Sequence, residues 1–230
     1  MLRAENWRDL LATLSHLDVF VPPRSRGRSK EHTERYCIAY SLSTLAYHDV
    51  LRYPISLSKR ERPDLLLTLG TTCIGIEITE AVPKNDAHKT AIRNENGPHG
   101  WHYISRYSPG EAKKTRKKLC QEIKDNEPGN GWSGDSVERE WAEAMAYFIG
   151  QKTDKLRMQY FNRFNEDWLL IYDNWPLPDV DIELAAQYLC SIAGSCEFSY
   201  VYILSGENLL EVSSLKWRRF EVKNLWTERQ

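Results

Sequence analysis

The chain has 230 residues, of which 41% are hydrophobic and 27% charged, with a formal net charge of −1. That composition is globular rather than disordered, the length suits one sizeable core, and no apolar run approaches the roughly 20 residues that span a bilayer. Arg3, Glu5, Arg8 and Asp9 are wrong for a secretion signal, so a cytoplasmic single domain over 1–230 with no membrane partner is the expectation.

Trp7, Leu10, Leu11, Leu14 and Leu17 recur at helical spacing, which predicts a helix over 5–20, ended by Val21-Pro22-Pro23. Arg24, Arg26, Arg28 and Lys30 follow beside Ser and Gly. This segment reads either as a solvated linker or as a phosphate-contacting loop through Arg26 and Arg28. Residues 1–28 are thus an N-terminal helix and basic linker. Ser29 can cap a long helix to about Val50, because Tyr36, Ala39, Tyr40, Ser43, Ala46, Tyr47 and Val50 keep a period close to 3.6. Glu31 and Glu34 in its first turns suit the positive end of the helix dipole. A short strand over 53–58 is expected, restricted by Pro54 to an edge or a strand start.

Leu65 to Leu69 and Ile74 to Ile78 are apolar runs separated by Gly70, Thr71 and Thr72, a hairpin signal. A two-residue or four-residue loop would set Asp64 directly opposite Glu77, whereas a three-residue loop would shift the register by one. Opposed like charges destabilise a sheet. A divalent cation would offset that repulsion, and magnesium is commonly held by one or two carboxylates.

Beyond Ala81 the pattern dissolves, with Pro83, Asn85, Asn94, Asn96, Gly97, Pro98 and Gly100 as punctuation and a second cluster, Pro128 to Gly131, further on. Residues 83–135 therefore read as an insertion, with a helix from Glu111 to Ile123. Lys113, Lys114, Arg116, Lys117 and Lys118 put five cations in six positions, suited to a nucleic-acid backbone or paired with acidic neighbours such as Glu122. Trp101, His102, Tyr103 and Tyr107 are candidates for stacking on bases. His99 and His102 lack a third metal-ligand candidate nearby. The longest helical pattern runs from Ser136 to Phe161. Its apolar stripe Val137, Trp141, Met145, Phe148, Leu156 and Tyr160 is interrupted by Lys152. An ammonium group on a core-facing stripe is costly unless it snorkels or meets a carboxylate. A buried strand at Trp168 to Tyr172, a helix over 181–193 and a strand over 198–204 complete a mixed α/β order. Lys216, Trp217, Arg218 and Arg219 give a basic close. Five Cys without a Cys-x-x-Cys pair argue against a disulfide framework or zinc knuckle and for buried thiols.

Pro63-Asp64, then Glu77, Ile78 and Thr79, resembles the signature of the PD-(D/E)XK nuclease superfamily. The resemblance covers roughly Ser29 to Tyr172. It implies a restriction-endonuclease-like core, a mixed central sheet flanked by helices, here with a long insertion before the second core helix. It further implies that Asp64, Glu77 and the Ile78 carbonyl hold Mg²⁺ or Mn²⁺. The family's motif Lys is replaced by Thr79, which would hydrogen-bond the water or phosphate. In some members that Lys has migrated to the second helix, where Lys152 is the substitute and Lys155, about one turn on, the reserve. Glu34 is similar in position to a further Glu that the family often carries near the metal. Regular strand alternation turns Glu80 to the opposite face.

Three functions compete. The first is a metal-dependent endonuclease hydrolysing phosphodiester bonds in DNA, with RNA not excluded, in defence, repair or a mobile element, and working as a homodimer if it cuts both strands. The second is a catalytically inactive module of the same fold that binds nucleic acid or a protein. The third, a scaffold without nucleic-acid contact, leaves the cations from Lys113 to Lys118 without a purpose.

Overall fold

The computed structural model describes residues 2–95, 100–158, 164–194, 196–213 and 216–226. In chain order it contains β1 (Leu2–Ala4), α1 (Trp7–Ser15), α2 (Lys30–Tyr47), β2 (Ile55–Lys59), β3 (Leu65–Leu69), β4 (Thr72–Ala81), α3 (Lys84–Glu95) and α4 (Arg116–Asp125). It continues with α5 (Ser136–Met158), β5 (Glu166–Asp173), α6 (Ile182–Ile192), β6 (Tyr200–Ser205), β7 (Asn208–Ser213) and β8 (Lys216–Glu221). The strands form one sheet in sequence order. The pairs β4–β5 and β5–β6 are parallel and the other neighbours antiparallel. Among the described residues, no helix is long and apolar enough to cross a membrane.

Period-two alternation sends the residues of β4 to two different layers. Ile74, Ile76 and Ile78 face a core built with Leu10 and Leu14 of α1 and Ile38, Leu42 and Leu45 of α2. Trp141 and Met145 of α5 and Ala185 and Leu189 of α6 cover the other face over Leu169, Ile171 and Ile203. Because β5 lies between parallel neighbours and is covered on both sides, its centre reads as the continuous apolar run Trp168 to Ile171, all buried. The long helix α2 is buried without interruption from Cys37 to Ala46, so it is a core helix rather than an amphipathic surface one.

The mixed α/β expectation holds, with several corrections in detail. The first helix is shorter than 5–20, starting where the Asn6 side chain accepts from the Arg8 and Asp9 N–H groups at 3.0 and 3.1 Å. Residues 2–4 form a strand that sequence reading missed. It pairs with β2, which is therefore not an edge, and Pro54 sits just ahead of β2 as a strand start. The basic helix begins at Arg116 rather than Glu111, capped by Thr115, whose hydroxyl accepts from Lys118 N–H at 3.3 Å. The pattern does not dissolve after Ala81, since α3 starts three residues later. Its inward residues are Asn85, Lys89 and Ile92, so the apolar stripe that announces a helix is absent. The last residues of the helix expected to reach Phe161, including Tyr160, lie outside the described residues, as does His99. Two strands, β7 and β8, extend the sheet beyond expectation. All five thiols are unpaired, but only Cys37 is buried and Cys196 is exposed.

Polar contacts tie residues 83–135 to α5 and to one another. Glu140 of α5 accepts from Trp132 Nε1 at 2.9 Å and pairs with Arg106 at 2.9 Å. Buried Asn85 donates to Glu111 at 2.6 Å and accepts from Lys114 N–H at 2.9 Å. Lys89, also buried, pairs with Glu122 at 2.8 Å.

Candidate active site

Leu65 pairs with Ile76 and Leu69 with Thr72, so the hairpin turns on two residues, Gly70 and Thr71. Gly70 has φ 60°, a left-handed turn conformation that glycine adopts without a Cβ penalty. The paired register ends at Leu65 and Ile76, one residue short of Asp64 and Glu77; beyond it the Asp64 carboxylate turns to Lys30 of α2 and Glu77 to Lys152 of α5. Asp64 is only 8% exposed. Its Oδ2 accepts from the Ile78 N–H at 2.8 Å, and its Oδ1 accepts from Lys30 Nζ at 2.5 Å.

Glu77 faces α5, where its Oε2 accepts from Lys152 Nζ at 2.9 Å, and the same ammonium lies 3.4 Å from the Ile78 carbonyl oxygen. The anomaly on the apolar stripe is thus explained, because Lys152 turns to a carboxylate on the sheet. Lys155 is exposed and has no partner among the described residues. Lys30 bridges Asp64 to Glu34, whose Oε1 lies 2.9 Å away. Burial opposes the Lys30 charge, but hydrogen bonds to Asp64 and Glu34 outweigh it and hold its pKa above the ordinary lysine range. Thr79 has the strand parity of Glu77 and is half-buried. Its side chain makes no hydrogen bond among the described residues. Glu80 turns to the other face, as expected, and is engaged there by Arg24, Arg28 and Asn174.

The available donors are two carboxylates and a backbone carbonyl, the hard oxygen set that magnesium or manganese takes while keeping several waters. Among the described residues, no three or more His, Cys, Asp or Glu side chains gather into a metal-holding group. A divalent ion at these residues would have few protein ligands and would need water and phosphate to complete its shell.

The candidate nucleic-acid contacts divide. Arg28 is occupied by Glu80 at 2.7 Å, so its guanidinium is tied to the sheet, whereas Arg26 is exposed. Lys114 pairs with Glu122 at 2.8 Å and Arg116 with Glu95 at 2.6 Å. Lys113, Lys117 and Lys118 are exposed and unpaired among the described residues. Trp101, 72% exposed, meets Tyr103 edge-on with ring centroids 4.1 Å apart. Asn126, the left-handed cap of α4, accepts from Tyr103 N–H at 3.1 Å and donates to the Trp101 carbonyl at 3.4 Å, which ties this aromatic pair to the basic helix. Tyr107 is not available for stacking. It is 5% exposed and donates its hydroxyl to Asp86 at 3.1 Å.

Sequence reading gave Lys30 no role beyond the basic linker, because its partners lie four and thirty-four residues away. It also missed Asp173, half-buried at the end of β5, which accepts from Trp141 Nε1 at 2.6 Å, Ser205 Oγ at 2.7 Å and Trp175 N–H at 3.0 Å. Burial raises the Asp173 pKa against the lowering effect of those donors. Comparison of the chain with protein-family models, with curated proteins and with solved structures found no match.

Proposed function

We propose that this chain is a metal-dependent nuclease that hydrolyses phosphodiester bonds in DNA, built on a restriction-endonuclease-like core. The observation that carries the reading is the meeting of Lys152, from a distant helix, with Glu77 at 2.9 Å, just past the point beside Asp64 where the β3–β4 pairing ends. An ammonium group can stabilise a phosphate or orient a water from any sequence position that reaches the site, so Thr79 does not by itself remove the chemistry.

In this reading Asp64, Glu77 and the Ile78 carbonyl hold a magnesium or manganese ion, which when bound lowers the pKa of a water and offsets charge on the leaving oxygen. The Ile78 N–H fixes one oxygen of the Asp64 carboxylate. Lys152 leaves Glu77 to donate to the attacking water or a non-bridging phosphate oxygen. The Thr79 hydroxyl, free of other partners among the described residues, adds a weaker hydrogen bond to the same phosphate. Exposed Lys113, Lys117 and Lys118 neutralise backbone phosphates, and the Trp101–Tyr103 pair offers a stacking face.

Incubation with plasmid and with single-stranded DNA, in magnesium or manganese, tests the reading beside Asp64→Asn, Glu77→Gln and Lys152→Met. Loss of cleavage in all three supports it, and cleavage that survives Asp64→Asn sinks it. A second reading, an inactive nucleic-acid-binding module of the same fold, is favoured by Thr79 and by the lysines already seated on the carboxylates. Binding without cleavage in either metal would select it.

A further inference from the structure

Asp64 has its two carboxylate oxygens committed, Oδ2 to the Ile78 N–H and Oδ1 to Lys30. The backbone bond is fixed by the strand. Each oxygen keeps a further acceptor site, so an ion joining Asp64 through Oδ1 would share that oxygen with the Lys30 ammonium and meet its like charge at close range. Lys30 lies in the first turn of α2, directly after the Ser29 cap. A cation there opposes the positive end of the helix dipole. Its position is compensated by the two carboxylates it bridges, Glu34 at 2.9 Å and Asp64 at 2.5 Å.

The two site lysines differ in their freedom to move. The Lys152 side chain is 16% exposed and enclosed between α5 and the sheet, whereas that of Lys30 is 68% exposed. Lys30 can swing into water by rotating its flexible four-carbon stem, with no movement of the backbone. Its departure would leave Glu34 and Asp64, two carboxylates drawn together by one ammonium, without a counter-charge.

On the nuclease reading, we infer that Lys30 is a resident cation whose charge opposes a divalent metal ion at Asp64, so that this side chain sets how tightly the site takes metal. It keeps Glu34 and Asp64 together before the metal arrives and competes with the ion for Asp64. With Lys30 turned to solvent, Glu34 would be available as a further oxygen donor or as an acceptor for a bound water.

The test is a calorimetric titration of Mn²⁺ into the full chain at low ionic strength and without nucleic acid, comparing wild type with Lys30→Met and Lys30→Gln. Both variants remove the competing charge and should bind Mn²⁺ about tenfold or more tightly than wild type. Their melting temperatures without metal should be lower, with a larger rise on adding Mn²⁺. Lys30→Gln keeps a hydrogen-bond donor, so it provides a folded comparison if Lys30→Met does not fold, and circular dichroism checks both.

Folded variants that bind Mn²⁺ no more tightly than wild type overturn the inference, as does a complete lack of Mn²⁺ binding in all three proteins. The two levels of the reading fail separately. Cleavage lost in Asp64→Asn but Mn²⁺ affinity unchanged in Lys30→Met leaves the nuclease and removes the competing lysine. Tighter Mn²⁺ binding in Lys30→Met, in a protein that cuts no nucleic acid, keeps the competing lysine and removes the nuclease.

Discussion

Glu77 and Glu80 stand three residues apart on β4 and meet opposite layers of the protein. Glu80 gathers Arg24 at 2.5 Å, Arg28 at 2.7 Å and Asn174 at 2.6 Å on one carboxylate oxygen. These bonds fasten the basic linker and the end of β5 to the sheet. Glu77 meets a single ammonium, and the other potential donor nearby is a backbone carbonyl that also attracts a cation. The difference shows how to sort carboxylates on one strand. A group saturated by converging donors is committed to structure, while a group with one partner keeps acceptor sites open to a further ligand.

The sharpest way to break this comparison is to neutralise each side and measure both activity and stability. Asp64→Asn or Glu77→Gln should reduce cleavage by about 10³-fold, and Lys152→Met by about 10²-fold, as removal of electrostatic stabilisers of a transition state does. Single-turnover cleavage of labelled DNA reads these changes, and similar rates for Glu77→Gln and wild type would end the distinction. Glu80→Ala should instead lower unfolding free energy by about 2 kcal/mol. That is below the cost of breaking a fully buried pair, because Arg24 and Arg28 keep some contact with water. Urea unfolding measures it, and cleavage per folded molecule should stay near wild type.

Two smaller effects sharpen the picture away from β4. Replacing Lys113, Lys117 and Lys118 with Ala should reduce the salt slope of DNA affinity by about 1 for each backbone phosphate that these lysines neutralise, while Lys114→Ala should chiefly release Glu122. Fluorescence anisotropy over a salt series distinguishes the two. Asp173 gives the smallest expected change. Its carboxyl is raised in the folded protein by burial, so the folded state holds that proton more tightly than the unfolded chain does. The associated stability is complete below the unfolded carboxyl pKa of about 3.9 and is lost as pH rises through the raised folded value. Asp173→Asn should remove that portion of the pH slope in urea unfolding, and an unchanged slope would contradict the direction.

The hairpin was legible because its apolar runs are local and its turn contains a glycine with one clear job. Lys152 was legible as a break in a helical stripe, and the structure supplies its partner in Glu77. The helix α3 was hidden because Asn85 and Lys89 fill its inward face, and polar residues there imitate a loop. The strand β8 was hidden by charge, since Arg218 reads as a solvated residue until buried Glu211 is seen accepting from it at 2.7 and 2.9 Å. Arg28 looked available for phosphate for the same reason, as its partner Glu80 lies fifty-two residues away. Polar contacts between distant residues leave no periodic trace, whereas apolar faces do.

Glu77 and Lys152 are seventy-five residues apart along the chain, and the strands β4 and β5 become neighbours only after everything between them has been made. The hairpin can close locally at once, but the ion pair waits for the return of a long loop, a late and entropically costly event. During synthesis on the ribosome, a nascent chain ending short of α5 therefore carries Glu77 without its basic counterpart, whereas Asp64 already has Lys30. The Glu77–Lys152 pair forms only once α5 has emerged and found the sheet.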